Sequence, residues 1–315
     1  MKEKLVVIVG PTAVGKTALS IKLSKKYNGE VISGDSMQVY KGMDIGTAKV
    51  GKVEQDGIKH HLIDIKEPHE SFSVAEFQEH CLPLISLINQ VGHIPFLVGG
   101  TGLYVNAITK GYQLDEMPTD EKYRAELAEI ALNVGNEELH KMLEAVDHEA
   151  AVNIHPNNVR RVIRALEVSR VTGVPFSKQQ VGEQGEKKSH YDLVFIGLSM
   201  EREKLYKRIN QRVDLMIEQG LVEEAKALYD QGIIDCQSVQ AIGYKELYEY
   251  FDGKCSKDEA IETLKRNSRR YAKRQLTWFR NKTDATWFDM TDGLTEQVFH
   301  EICTFIEGKF QSLSK

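Results

Sequence analysis

A short β-branched run, Leu5 to Val9, feeds directly into Gly10-Pro11-Thr12-Ala13-Val14-Gly15-Lys16-Thr17, a G-x-x-x-x-G-K-T phosphate loop. A chain carrying this loop has to place a strand before it and a helix after it. The anion rests on backbone N–H groups at the positive end of that helix. The helix is expected from Lys16 to about Tyr27. Gly10 and Gly15 permit the backbone angles that turn successive N–H groups inward, Lys16 places an ammonium over the outer phosphates, and the Thr17 hydroxyl is suited to ligate Mg²⁺. A phosphate-bearing ligand is the first expectation.

The pattern along the chain predicts an α/β fold with a P-loop NTPase-like core: a parallel sheet flanked by helices, interrupted by an inserted all-helical domain. Glu30 to Gly34 reads as a second strand that delivers Asp35-Ser36-Met37-Gln38 to the sheet edge where ligands bind in open α/β folds. Asp35 has three readings there: a Mg²⁺-coordinating acid, a general base, or a cap on the next helix. Lys41 to Lys49 is polar and glycine-punctuated, a loop near the site. His60 and His61 are adjacent, so on a strand they point to opposite faces and are expected to be structural. Ser73 and Glu76 have the spacing of a capping box. Ile94 to Val98 reads as a buried strand, but Gly99-Gly100-Thr101 follows it, where a nucleotide hydrolase would carry an acid to hold Mg²⁺ and poise water. Thr101 brings a hydroxyl to the same edge.

From about Leu114 the chain turns polar and helical, and strand pattern returns only at Asp192 to Leu198. The expected division is therefore 1–113 with 191–315 as the core and 114–190 as the insertion. In the insertion, Arg160, Arg161 and Arg164 share one side of a helix starting at Val159. Within Glu201 to Gln219, Arg208 and Arg212 are one helical turn apart and suited to clamp phosphate oxygens. Lys265 to Lys282 contains eight basic and no acidic residues. On a helix, Lys265, Arg266, Arg269, Arg270, Lys273, Arg274 and Arg280 fall on one half of the circumference, opposite Leu264, Tyr271, Trp278 and Phe279. Like charges crowded on one face repel unless an anion lies against them, which points to nucleic acid. The formal net charge of −5 excludes a surface that binds polyanions everywhere. Four scattered cysteines without a C-x-x-C pair, and no long apolar run, predict a cytoplasmic protein with reduced thiols and no membrane association.

A P-loop without a hydrolytic acid, an Asp at the end of the second strand and a distant basic helix suggest phosphate chemistry carried out on a nucleic-acid base. In GPTAVGKT (10–17), SGDSMQVY (33–40), GTAK (46–49), VGGTGLY (98–104), HPNNVRRVIRALEV (155–168), AIGYKE (241–246) and KRQLTWFR (273–280), the sequence closely resembles the tRNA dimethylallyltransferase, or tRNA isopentenyl transferase, family. The resemblance spans nearly the whole chain. It implies transfer of the dimethylallyl group from dimethylallyl diphosphate to the exocyclic N6 amine of an adenosine beside the anticodon, flipped out of its loop, with release of diphosphate. It further implies that Thr12, Ala13, Val14 and Gly15 supply backbone donors to the diphosphate, that Lys16 neutralises its developing charge, and that Thr17 helps hold Mg²⁺. Arg208 resembles the family's diphosphate-contacting arginine, with Arg212 the alternative. Asp35 is carried over to the target amine, Ser36, Met37 and Gln38 to neighbouring bases, and Thr101 to the reaction channel. The segments matching tRNA contacts are Val159-Arg160-Arg161-Val162-Ile163-Arg164, Gly243-Tyr244-Lys245 and Lys273-Arg274-Gln275 through Trp278 to Arg280. The expected partners are a tRNA anticodon stem-loop and dimethylallyl diphosphate, and the expected assembly is a monomer. A P-loop kinase for a small acceptor and an RNA-binding ATPase remain as rivals.

Overall fold

The computed structural model describes residues 2–112, 120–178 and 190–313, with side chains through residue 310. The chain divides into two compact units, residues 1–111 with 188–315, and residues 112–187. The first begins with strand β1 (Glu3–Val9), helix α1 (Lys16–Tyr27), β2 (Gly29–Ser33), the single turn α2 (Lys52–Gln55), β3 (His60–His61), α3 (Val74–Gln90), β4 (Ile94–Gly99) and α4 (Gly102–Thr109). The second unit contributes α5 (Glu121–Asn133), α6 (Asn136–Val146), α7 (His148–Asn153) and α8 (Val159–Thr172). The first resumes with β5 (Tyr191–Ser199), α9 (Arg202–Glu218), α10 (Leu221–Asp230), α11 (Tyr244–Phe251), α12 (Lys257–Lys282), β6 (Thr286–Asp289) and α13 (Glu296–Leu313). No helix among the described residues is long and apolar enough to cross a membrane.

The strands form one sheet in the order β3-β2-β4-β1-β5-β6, and every pairing is parallel. β1 lies inside, flanked by β4 and β5, and its Leu5 to Val9 side chains are fully buried, which is why this run is apolar without alternation. One sheet face packs Val7, Val9, Ile32 and Leu97 into a core with Phe77 and Tyr104. The other packs Val6, Ile8 and Phe96 with Leu19, Leu23 and Ile302. Because the chain leaves β1 toward β2 on one side and returns through β5 on the other, the crevice opens at the C-terminal end of β1, where the P-loop sits. The short edge strands β3 and β6 extend the sheet. β6 carries too few residues for a strand pattern to stand out in the sequence.

Two capping boxes set helix starts. Glu76 N donates to Ser73 Oγ at 3.1 Å at the head of α3. Glu259 N and the Ser256 hydroxyl do the same at the head of α12, which runs for 26 residues.

The second unit has its own small core of Leu127, Leu139, Leu143, Val162 and Ala165. Beside it lies Glu167, fully buried, which accepts from Arg124 Nε at 2.8 Å, Arg164 Nη1 at 2.6 Å and the Asp120 N–H at 2.9 Å. Burial works to raise the Glu167 pKa, but these donors outweigh it and hold the carboxyl below its ordinary value. Its stabilisation is therefore present above the usual glutamate range and is lost as pH falls through the lowered value. Removing the carboxylate leaves two arginines facing each other over a cavity. Glu167→Ala is expected to destabilise this unit by about 3–5 kcal/mol, read by chemical denaturation of the full chain.

Candidate active site

The loop between β1 and α1 has the geometry of an anion cradle. Gly15 takes φ 109°, and Ala13 lies in the left-handed region at φ 65°, a strained backbone of the kind found at binding sites. Lys16 folds over the loop and donates to the carbonyls of Gly10 and Pro11, each at 2.9 Å. Burial, then the nearby Arg212 charge, lower its pKa to about 8, while Asp35 acts in the opposite sense. Arg212 reaches the loop from α9, with Nη1 3.4 Å from Thr12 Oγ1. Arg208, one turn earlier, is exposed at the rim of the same cavity of about 430 Å³, which Lys16, Thr17 and Asp35 also line. Both arginines thus converge on the loop, with Arg212 the more deeply placed.

Asp35 follows β2 at the floor. Its Oδ1 accepts the Met37 N–H at 2.8 Å in an Asx turn, and no helix follows, so the helix-cap reading does not apply. Burial raises its pKa above the ordinary carboxylate value, against the Met37 N–H and the Lys16 charge, which pull it down. Thr101 faces it from the end of β4, with its Oγ1 accepting the Ser36 N–H at 3.2 Å. Asp35, Ser36 and Met37 line a second cavity of about 310 Å³ with Arg212, Lys245 and Arg274. Asp35 therefore stands where the cradle cavity meets a smaller, partly apolar chamber.

Several expected contacts are redirected. Gln275, expected to touch tRNA, is buried: its Oε1 accepts the Thr12 N–H at 2.9 Å and its Nε2 donates to the Gly100 carbonyl at 3.0 Å. The Thr12 N–H is consequently occupied, and the Val14 N–H points back to the Pro11 carbonyl at 3.4 Å. Ala13 and Gly15 keep the donors without a partner among the described residues. Tyr244 is fully buried, with its hydroxyl bonded to Glu224 at 2.6 Å, and so is not a surface for tRNA. Gln38 donates to the Thr47 and Ala48 carbonyls, each at 3.3 Å, and accepts from Ser33 Oγ at 3.0 Å, so its amide is already engaged. In α8, Val162 is core and Arg164 belongs to the Glu167 pair, whereas Arg160 and Arg161 are exposed; Val159 and Ile163 pack on the unit's core.

The basic stripe on α12 divides in two. Lys265 pairs with Asp214 at 2.7 Å, and Arg269 donates to Asn210 at 2.6 Å, which removes both from the free surface. Arg270, Lys273 and Arg274 form no ion pair with another described residue and line a groove with Trp278 and Lys282. The Trp278 ring packs onto Gly102, where a Cβ would come within 2.2 Å. Tyr271, on the neutral half of the helix, lines both cavities that meet at Asp35 and has its phenol pKa pushed up by burial and by Asp35. The sequence pattern places Tyr271 on the half of the helix opposite the basic residues and gives no signal for its place in the cavities, nor for Glu224. For Gln275 the signal was its spacing of four from both Tyr271 and Phe279, which places it on the inward face.

The family model described as IPP transferase matches residues 38–282. The chain belongs to the IPP transferase family. A tRNA dimethylallyltransferase of Halalkalibacterium halodurans is 61% identical over 315 residues, covering 100% of both chains. One from Geobacillus kaustophilus is 61% identical over 312 residues, covering 99% of this chain and 98% of the relative. Among solved structures, the tRNA isopentenylpyrophosphate transferase of Bacillus halodurans superposes with a TM-score of 0.76 at 60% identity, over 99% of this chain and 98% of that one. A eukaryotic dimethylallyltransferase acting on tRNA gives 0.77 at 31% identity, over 97% of this chain and 80% of that one. Within this IPP transferase, the half-buried lysine sets a pH dependence. Lys16 is charged well below about 8 and neutral well above it, and an anion bound against it would raise its pKa. Affinity for inorganic diphosphate is therefore expected to lose the Lys16 contribution as pH rises through about 8, falling up to roughly tenfold per pH unit above it, measured by calorimetry. A flat profile to pH 9.5 would remove Lys16 from the anion site.

Proposed function

We propose that this chain transfers a dimethylallyl group from dimethylallyl diphosphate to the N6 amine of the adenosine next to the anticodon of tRNAs, releasing diphosphate. The observation that carries the reading is the meeting of Asp35 with the Lys16–Arg212 cradle at one cavity junction. The C1–O bond of the donor breaks, and its electron pair leaves on the diphosphate, where Lys16, Arg212 and Arg208 meet the charge. The N6 lone pair forms the new C–N bond, and the amine proton passes to Asp35. A strand that ends in Val98-Gly99 in place of an acid favours a leaving group over a nucleotide to be hydrolysed.

The residues fit Mg²⁺ bound with part of its water shell. The Thr17 hydroxyl opens on a small cavity of about 60 Å³ shared with Asp35 and with His60, whose Nε2 is buried without a partner because Nδ1 faces the Ile58 carbonyl. Thr17 would ligate the ion, and His60 would accept from one of its waters. Such an ion would neutralise diphosphate oxygens. tRNA would lie along the free part of the α12 stripe, with Lys245 adding a phosphate contact; within the second unit, the exposed Arg160 and Arg161 are the residues suited to meet tRNA phosphates. The reading needs one chain, acting as a monomer in the cytoplasm.

Purified protein with labelled dimethylallyl diphosphate and tRNA should yield N6-modified tRNA without ATP. An obligatory nucleotide triphosphate, or phosphate release without transfer, would overturn the assignment. Asp35→Asn is expected to lower the single-turnover rate by roughly 10²-fold while tRNA affinity changes little, as for loss of a positioned base. If the variant's defect were confined to Mg²⁺ affinity, Asp35 would be a metal-shell group. Replacing Arg270 and Lys273 together with Ala should weaken tRNA binding and reduce the slope of log affinity against log salt by about two, as for two lost phosphate contacts.

A further inference from the structure

The loop from Asp44 to Lys49 forms one wall of the two cavities that Asp35 joins, through Thr47 and Ala48. It belongs to no helix or strand, yet it is held from two sides by opposite charges. From one side, Glu224 on α10 accepts the Asp44 and Ile45 N–H groups on Oε2, each at 2.9 Å. Its Oε1 accepts the Gly46 N–H at 3.0 Å and the Tyr244 hydroxyl at 2.6 Å. From the other side, Lys49 Nζ donates to the Tyr40 carbonyl at 2.7 Å and to Asp44 Oδ1 and Asp64 Oδ1, each at 2.6 Å. Successive backbone N–H groups converging on an anion form the nest that proteins use to hold phosphate. Here a carboxylate of the chain itself fills it. The Tyr244 ring closes over Gly46, where a Cβ would approach within 2.5 Å.

The loop passes this restraint onward. The Thr47 and Ala48 carbonyls receive the Gln38 amide, and Gln38 lies three residues after Asp35 in the same turn. The segment that Glu224 holds is thus connected, through the Gln38 hydrogen bonds to Thr47 and Ala48 and the turn from Asp35 to Gln38, to the carboxylate that receives the proton.

We propose that Glu224 is a positioning residue for the transfer reaction: it fixes the Asp44–Ala48 wall, and through it Gln38 and the turn that carries Asp35. The inference rests on the function proposed above. Four donors on two carboxylate oxygens use the acceptor capacity that an amide cannot supply. In Glu224→Gln a single oxygen remains, and the new NH₂ group faces N–H donors, so at least two of the four lose their acceptor. Glu224→Asp keeps both oxygens one methylene short.

Glu224→Gln is expected to lower kcat at saturating substrates by roughly tenfold or more and to raise KM for dimethylallyl diphosphate, with tRNA affinity within about twofold. Glu224→Asp should recover part of kcat. In parallel, the Asp44, Ile45 and Gly46 amides should be protected from hydrogen exchange in the wild type and exchange at least roughly tenfold faster in Glu224→Gln. A folded Glu224→Gln with wild-type kcat and KM would overturn the proposal, whatever its Tm, and so would unprotected wild-type amides. Should Glu224→Gln not fold, Tyr244→Phe, which removes one donor of four, should shift kcat and loop exchange the same way by less; no shift would overturn it. Wild-type protein that transfers nothing would sink the proposed reaction, while loop exchange and diphosphate affinity in Glu224→Gln would still decide whether Glu224 holds the wall.

Discussion

The side chain of Gln275 ties three elements of the site into one body. Its oxygen takes the Thr12 N–H of the P-loop, and its nitrogen gives to the Gly100 carbonyl beyond β4, while its backbone belongs to α12. The helix that presents Arg270, Lys273 and Arg274 is thereby locked in rotation and height against the phosphate cradle. A buried amide with both ends satisfied costs nothing in unmet hydrogen bonds and leaves little freedom, which is what such a junction requires. The same contact removes Thr12 from the set of free anion donors. The loop offers fewer N–H groups than its sequence suggests, and the guanidinium of Arg212 stands beside the one withdrawn.

Electrostatics at the cradle follows from burial without a counter-anion. Lys16 is half-buried, its ammonium satisfied by two carbonyls, and Arg212 adds a second positive charge to the same pocket. Both are held at an energetic disadvantage that a bound anion would relieve. Asp35 lines the same cavity, and burial raises its pKa against the pull of the Lys16 charge and the Met37 N–H. The carboxyl forms no ion pair with the lysine, whose ammonium donates instead to the Gly10 and Pro11 carbonyls.

Much of this was legible in the sequence because it rests on local pattern. The P-loop, the buried runs of β1, β2, β4 and β5 and the Ser73–Glu76 box depend on neighbours within a few residues, and each is read from spacing alone. What escaped depends on partners far away in the chain. Glu224 sits in an ordinary polar helix, and its ligands lie about 180 residues earlier. Arg164 shares a helix side with Arg160 and Arg161, and only the packing of the unit shows that Glu167 is buried between it and Arg124. Tyr244 sits beside the exposed Lys245 in one motif, yet its own contacts are internal: it supports the loop that walls the two cavities. A motif records that a residue matters to the site without saying on which side of the wall it stands.

The Asx turn at Asp35 has a kinetic corollary. With one oxygen fastened to the Met37 N–H, the carboxyl cannot swing its acquired proton out toward bulk water by rotating about χ1. As the proton acceptor of the proposed transfer, Asp35 would be left in an acid form whose return to carboxylate waits for the product to vacate the chamber and solvent to enter. Regeneration of such a base would be gated by departure of the modified nucleoside, and the cycle would close only when the cavity floods.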